Sequence, residues 1–271
     1  MRATVLVDNL SANGLEGEWG LAFYLDYQGQ QILLDTGASD LFARNADALG
    51  LDLGKIAFGV LSHAHWDHAN GMEIFFTRNT TAPFYLRQEC GETCYDKTPE
   101  GGWQYEGIQR GLLETYAHRL RRVTGTASPL PGVTLLPHTT PGLAQRGQAA
   151  GMYRREGDDW VPDDFAHEQS LIFTTPKGLV IFNSCCHAGA DTIVTEAAAA
   201  FPGQPLYAIV GGFHLYRTPE PEVRAFAQRL AETGVRHVVT GHCTGQPAYD
   251  ILAEVLGSRV QQLHTGLVLD F

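Results

Sequence analysis

The sequence predicts a layered α/β sandwich, and two features of its pattern carry that expectation. The N-terminal part reads as short strands joined by tight turns, and the C-terminal part alternates strands with amphipathic helices. Residues 3–8 (ATVLVD), 20–27 (GLAFYLDY) and 30–35 (QILLDT) have the apolar content of strands, with Gln28-Gly29 as the turn between the last two. The stretch ASDLFARNADALG then spaces Leu41, Phe42 and Leu49 much as a helix does, with Ser39 or Asp40 to cap its start and Gly50 to stop it. A short apolar strand at 57–61 (AFGVL) follows and delivers the chain into SHAHWDHANG. From about 87 to 168 the pattern loosens: Gly, Pro, Trp and Tyr are mixed, a helix is expected at 108–121, and clean strand alternation is missing. This stretch is expected to be an insert or lid within a single domain spanning 1–271. Order then returns, with strands at 170–175 and 178–183, a helix at 190–200, a strand at 206–210, a helix at 219–233, a strand at 236–240, a helix near 246–256 and closing strands at 259–263 and 267–270.

Composition narrows the function classes. With 271 residues, 44% of them hydrophobic and 18% charged, the chain can bury a large core. Its 19 basic and 30 acidic residues leave a net charge of −11, which repels polyanions such as DNA and RNA and disfavours a nuclease. No run approaches the roughly 18 apolar residues of a membrane span. MRATVLVDNLSANG has a brief apolar run without a small-residue cleavage site, so it reads as a strand and not a signal peptide. Five cysteines, two of them adjacent at Cys185 and Cys186, do not suit a secreted disulfide framework, and the expected location is the cytoplasm.

Chemistry concentrates in His63-Ala64-His65-Trp66-Asp67-His68. In an extended segment His63 and His65 project the same way and can share an ion, and a turn after them lets Asp67 and His68 reach a second one. The bland alternative, a polar surface loop, leaves this density of ligand-type side chains unexplained.

HxHxDH after an apolar strand, with Leu34-Asp35-Thr36-Gly37 at the end of an earlier one, resembles the metallo-β-lactamase-fold family. The segments ILLDTGASDLFARNADALGLDL, LSHAHWDHANG, HEQSLIFTTPKGLVIFNSCCHAGADTIV, IVGGFHL and TGHCTG resemble in particular the 7,8-dihydropterin-6-methyl-4-(β-D-ribofuranosyl)-aminobenzene-5′-phosphate synthase-like subgroup. The resemblance implies a four-layer αββα sandwich with an irregular insert. It implies that His63 and His65 hold one zinc ion with His187, and that Asp67 and His68 hold a second with His242. It also implies that Asp35 orients a metal-bound histidine. His214, in the GGFHL segment, is expected to face the metal cavity as proton donor or hydrogen-bond partner, with a depressed pKa suited to proton transfer near neutral pH; a structural histidine is the alternative.

The pattern also departs from many hydrolases of this fold. HTTPGLAQ has Leu143 at the place of a further histidine in those hydrolases, and Ser184-Cys185-Cys186-His187 offers no aspartate to bridge two ions. His138 or one of the cysteines is a candidate substitute. Cys90 and Cys94, spaced CxxxC, read as an incidental buried pair. Trp103, Tyr105, Tyr153, Trp160 and Phe165, with Arg119, Arg121, Arg122, Arg146, Arg154 and Arg155, either stack on a flat ring and pair with a phosphate or form a lid with solvated arginines.

The expected function is a metal-dependent hydrolase whose metal-bound hydroxide, oriented by Asp67, attacks a small-molecule ester, lactone or phosphoester. The subgroup resemblance implies an alternative, a transferase of the dihydropterin synthase type acting on a phosphorylated or pterin-like substrate. A non-catalytic metal sensor is a third reading, against which the complete HxHxDH speaks. Zinc is the expected ion, with manganese or iron as substitutes.

Overall fold

Alternation along the central strands decides the layering. Leu171 and Phe173 face one side of their sheet while Ile172 faces the other, and Val180 and Phe182 oppose Leu179 and Ile181 in the same way. Strands apolar on both faces must be covered on both. The computed structural model, which describes residues 1–12 and 14–271, meets this demand with two seven-stranded sheets packed together and helices outside each.

The first sheet runs in the order Val268–Asp270, Arg2–Val7, Ala22–Tyr27, Gln30–Leu34, Ile56–Val60, Phe84–Arg87, Leu120–Val123. The second runs Val260–Gln262, His237–Thr240, Leu206–Gly211, Gly178–Phe182, Gln169–Thr175, Val133–Pro137, Ala127–Leu130. Phe23, Leu25, Ile32, Phe58, Leu171, Phe173, Val180 and Phe182 belong to the core between them, where the Phe23 and Phe182 rings meet edge-on at 5.4 Å. Outside the first sheet, Phe42 of helix Leu41–Ala48 and Phe75 of helix Met72–Arg78 join a second core with Leu33, Phe84 and Leu86. Outside the second, helices Ala190–Ala200, Glu220–Glu232 and Gln246–Leu256 bury Ile193, Phe226, Leu230 and Leu252 with Ile172, Ile181 and Ile209. The four-layer αββα sandwich expected from the sequence is thus the observed fold.

The hairpin turn follows its chemistry: Gln28 and Gly29 both adopt positive φ, 54° and 79°, as a two-residue turn matched to strand twist requires. Asp26 steadies it by accepting from the Gly29 N–H at 3.1 Å.

Residues 87–168 are more regular than the sequence suggests. They supply Leu120–Val123 to the edge of the first sheet and Ala127–Leu130 and Val133–Pro137 to the second. They also build a separate four-stranded sheet in the order Asp159–Pro162, Met152–Glu156, Cys94–Lys97, Trp103–Tyr105. The helix expected at 108–121 is only the turn Leu112–Thr115, followed by a 3-10 turn at Ala117–Arg119 and then a strand. Gly111 and the exposed, non-periodic side chains of that stretch cannot bury a longer helix.

Direction places the site. Gln30–Leu34 and Ile56–Val60 are parallel neighbours, as are Gly178–Phe182, Leu206–Gly211 and His237–Thr240. Asp35, His63, His187, His214 and His242 all lie just beyond the carboxyl ends of these strands, which is where open α/β sheets gather binding groups.

Candidate metal centre

The His63–His68 loop stays extended through His65, whose φ and ψ are −102° and 152°, and then coils into the short helix Trp66–Ala69. Extended backbone sets His63 and His65 on one side with ring centroids 4.5 Å apart, and the helical turn carries Asp67 and His68 to the next position. His187 brings its ring to 4.9 Å from each of His63 and His65, and the ligating atoms of these three lie within 4.8 Å of one another. Asp67, His68 and His242 form a second group of the same compactness, with Asp67 Oδ2 3.3 Å from His242 Nε2 and 3.6 Å from His68 Nε2. The structure therefore brings all six residues together, and in the same two trios that the resemblance implies.

The donor atoms fit an ion. The Nε2 atoms of His63, His187 and His242 are buried and have no hydrogen-bond partner, an arrangement that costs about 1–3 kcal/mol per group unless something binds there. Opposite nitrogens are occupied where the network is visible. Ser62 Oγ donates to Asp35 Oδ2 at 2.7 Å, which leaves it to accept from His63 Nδ1–H at 2.8 Å. His68 Nδ1–H donates to Asp35 Oδ2 at 3.0 Å, and His242 Nδ1–H to Asn9 Oδ1 at 3.0 Å. For His63 and His242 the pin on Nδ1 leaves a bare Nε2 facing the cavity, the tautomer a metal requires, while His68 Nε2 faces Asp67 and the Cys185 sulfur.

Electrostatics agree with this assignment. Burial and the neighbouring rings push His63 and His187 well below the usual imidazole range, and burial pushes His65 down to about 3, so these rings are neutral. For Asp67 burial works the other way, but His68 and His242 outweigh it and hold the carboxyl well below its ordinary range. At His68 the carboxylates of Asp67 and Asp35 overcome the cost of burial and push the ring up to about 10. That trapped positive charge is what a bound cation would replace.

Asp35 sits where the resemblance implies an orienting residue, and several further positioning residues carry no motif and were missed by sequence reasoning. Asp35, fully buried, accepts from Ser62 N–H at 2.7 Å, from Ser62 Oγ, from His68 Nδ1 and from Ser184 Oγ. Glu168 binds the turn that presents His187, its oxygens accepting from the His187 N–H at 2.8 Å and the Ala188 N–H at 3.0 Å. Ala64 N–H lies 3.1 Å from His167 Nδ1, and His167 Nε2–H donates to Asp163 at 3.0 Å. Cys94 adds its sulfur 3.6 Å from the same His167 nitrogen, so this cysteine belongs to a buried cluster beside His65; Cys90 donates to the His167 carbonyl. Ser62 had a signal in its place next to the motif; Glu168, His167 and Asp163 are joined to the site only by folding.

His138 stands outside both groups: Nδ1 meets Glu196 at 2.6 Å, and Nε2 meets Ser170 Oγ at 3.0 Å and Asn183 Nδ2 at 3.1 Å. It is a clamp between strands and a helix, and it does not replace a missing ligand. His214 does face the site, its ring 4.6 Å from that of His187, but burial pushes it down to about 4, lower than proton donation near neutral pH calls for. Asp35, Cys186, His214 and His242 all have φ between 46° and 58°, a region costly for side chains, so strain collects around this centre.

A cavity of about 550 Å³ opens beside the centre and is lined by His187, His214, Tyr216 and three arginines, Arg146, Arg217 and Arg229. Of the residues expected to form a ring and phosphate site, only Arg146 and Phe165 line it. Trp103 and Trp160 stack on each other at 3.8 Å in the four-stranded sheet, Arg119 binds the Asn79 and Ala82 carbonyls, and Arg154 pairs with Glu156, Asp163 and Asp164. Their own partners, met only on folding, remove them from the cavity.

Comparison with known proteins points to the same fold. The family model for the metallo-beta-lactamase superfamily matches residues 20–145. The chain is 26% identical over 265 residues to the 7,8-dihydropterin-6-methyl-4-(beta-D-ribofuranosyl)-aminobenzene-5′-phosphate synthase of Methanocaldococcus jannaschii, covering 93% of this chain and 90% of that protein. The crystal structure of Tm1679, described as a metal-dependent hydrolase of the beta-lactamase superfamily, is similar at 29% identity with a TM-score of 0.87, over 100% of this chain and 99% of the other. Zinc-bound PqqB from Methylobacterium extorquens shares the fold at 13% identity and a TM-score of 0.60, over the whole of both chains.

Proposed function

We propose that this chain, whose residues 20–145 match the family model of the metallo-beta-lactamase superfamily, is a metal-dependent enzyme that hydrolyses an ester, lactone or phosphoester bond in a small anionic molecule. The observation that carries the reading is the pair of buried trios, His63/His65/His187 and Asp67/His68/His242, with unpartnered Nε2 atoms beside an arginine-lined cavity. Zinc, or manganese or iron in its place, would be held by these residues and would supply an activated water and stabilisation for the negative charge that develops in the reaction.

The protein's own groups divide the remaining work. Asp67, ionised and buried between His68 and His242, is positioned both to hold an ion and to accept a hydrogen bond from the attacking water. His214, neutral at neutral pH, offers a hydrogen bond to a substrate oxygen from the shared wall of the centre and the cavity. Among the described residues no carboxylate lies within salt-bridge distance of Arg146 or Arg217, which present their charge to a phosphate or carboxylate, while Arg229 is held by Asp191 at 2.7 Å. All five cysteines are free, which suits a reducing cytoplasm. Among the described residues no helix is long and apolar enough to cross a membrane.

A second reading, transfer of a whole dihydropterin-6-methyl unit to an aminobenzene ribofuranosyl phosphate with departure of the leaving group carried on that methyl carbon, draws support from the near full-length match to the synthase. Metal analysis followed by a panel of an ester, a lactone, a phosphodiester and the two synthase substrates separates the readings. Water-dependent cleavage supports the first, and coupling of the synthase pair without hydrolysis replaces it by the second. Protein free of metal that turns over normally overturns both.

A further inference from the structure

The two trios leave one buried group at their seam. Cys185 follows the strand Gly178–Phe182 and turns its sulfur to 3.2 Å from His68 Nε2. That sulfur lies within 4.8 Å of ligating atoms of His63 and His68, and also of His242 and Cys243, so it is in reach of members of both trios. It lines the small cavity together with His65, Asp67 and His187. No carboxylate occupies this strand end, where Ser184 already donates to Asp35. From the geometry we propose that Cys185 is a metal ligand, its thiolate sulfur linking the ion held by Asp67, His68 and His242 to the one held by His63, His65 and His187. The inference rests on the metal-centre reading above.

The chemistry balances without an oxidant. The Cys185 S–H bond breaks, its proton leaves to solvent as the ion enters, and the sulfur lone pair forms the bond to the metal. Cys243 fits a supporting role. Its S–H donates to Cys185 Sγ at 3.4 Å, and its own sulfur accepts the His214 N–H at 3.2 Å, so it steadies the Cys185 sulfur from the side of His242 and His214. Thiolate, imidazole and carboxylate together form a donor set that selects zinc or cobalt over calcium or magnesium.

The test uses the full chain stripped of metal and reloaded with cobalt(II), read by its near-ultraviolet sulfur-to-cobalt absorption and by metal stoichiometry. The wild type should show the sulfur band with roughly two ions per chain. Cys185→Ser should lose the band and about half the bound cobalt, Cys243→Ser should keep both, and Cys185→Asp should recover the stoichiometry without the band. If Cys185→Ser fails to fold by circular dichroism, alkylation decides instead: cobalt must protect Cys185 of the wild type from iodoacetamide. A sulfur band that survives in Cys185→Ser, a band lost in Cys243→Ser, or alkylation of Cys185 unaffected by cobalt overturns the proposal. No cobalt bound by any variant or by the wild type would instead remove the metal-centre reading itself.

Discussion

Asp35→Asn is the sharpest single perturbation of the centre. The wild-type carboxylate accepts on both oxygens: Oδ1 takes the Ser62 N–H at 2.7 Å, and Oδ2 takes Ser62 Oγ, Ser184 Oγ and His68 Nδ1–H. An asparagine amide has one acceptor oxygen. Set at the Oδ2 position, it turns its NH₂ against the Ser62 N–H; set the other way, the NH₂ faces His68 Nδ1–H and drives the ring proton to Nε2, where an ion must bind. Either orientation breaks at least one charge-assisted hydrogen bond in a fully buried place, a loss of about 1.5–3 kcal/mol. Each 1.4 kcal/mol is about tenfold in an equilibrium constant, so metal affinity should fall by roughly ten- to a hundredfold, as expected when a ligand's orienting partner is removed. Competition with a chelator of known affinity measures it. Unchanged affinity in a folded Asp35→Asn protein would refute the claim that Asp35 sets the His68 tautomer.

His65→Ala should abolish nearly all turnover, while Asp67→Ala should chiefly reduce metal stoichiometry, by roughly half, since the two residues serve different trios; equal metal content and turnover in Asp67→Ala would contradict that division. His214→Ala should lower turnover by roughly a hundredfold with metal content intact, in the range of a lost hydrogen-bond donor to a substrate oxygen. If the variant sheds metal, His214 is a ligand. Acid stability tests the Asp163–His167 pair. His167 overcomes the cost of burying Asp163 and holds it at about 2. A depressed carboxyl contributes stability above its ordinary pKa of about 4 and loses it as pH falls toward 2, here on the order of 2 kcal/mol. Asp163→Asn should therefore be less stable at neutral pH and flatter between those limits in urea titrations, and an unaltered acid limb would exclude the pair as the source.

Much of this protein was legible before folding because local physics repeats along the chain. Period-two patterns in GLAFYLDY and SLIFTT, the Gln28-Gly29 turn and the helix from Gln246 to Leu256 depend on neighbours a few residues away. HxHxDH was legible for the same reason: an extended step followed by a helical turn sorts four ligand-type side chains within one short loop. Residues 94–105 and 152–162 were not legible, since Cys94–Lys97 finds Met152–Glu156 across a long stretch of chain and partial exposure blurs the alternation.

Composition, periodicity and one dense motif thus determined the layered sandwich, the strand ends at which chemistry would gather, and four of the six trio residues, while His187 and His242 came from the family resemblance. Only the tertiary structure decided which nitrogen of each visible histidine is pinned, that Glu168 and Asn9 hold the presenting turns, that His138 lies outside the centre and that Cys185 lies at its seam. The physical reason is range. Backbone pattern and ligand type are set by residues close in sequence, whereas tautomer, burial and the approach of Cys185 to His68, 117 residues apart, exist only after the two sheets have closed over a shared core.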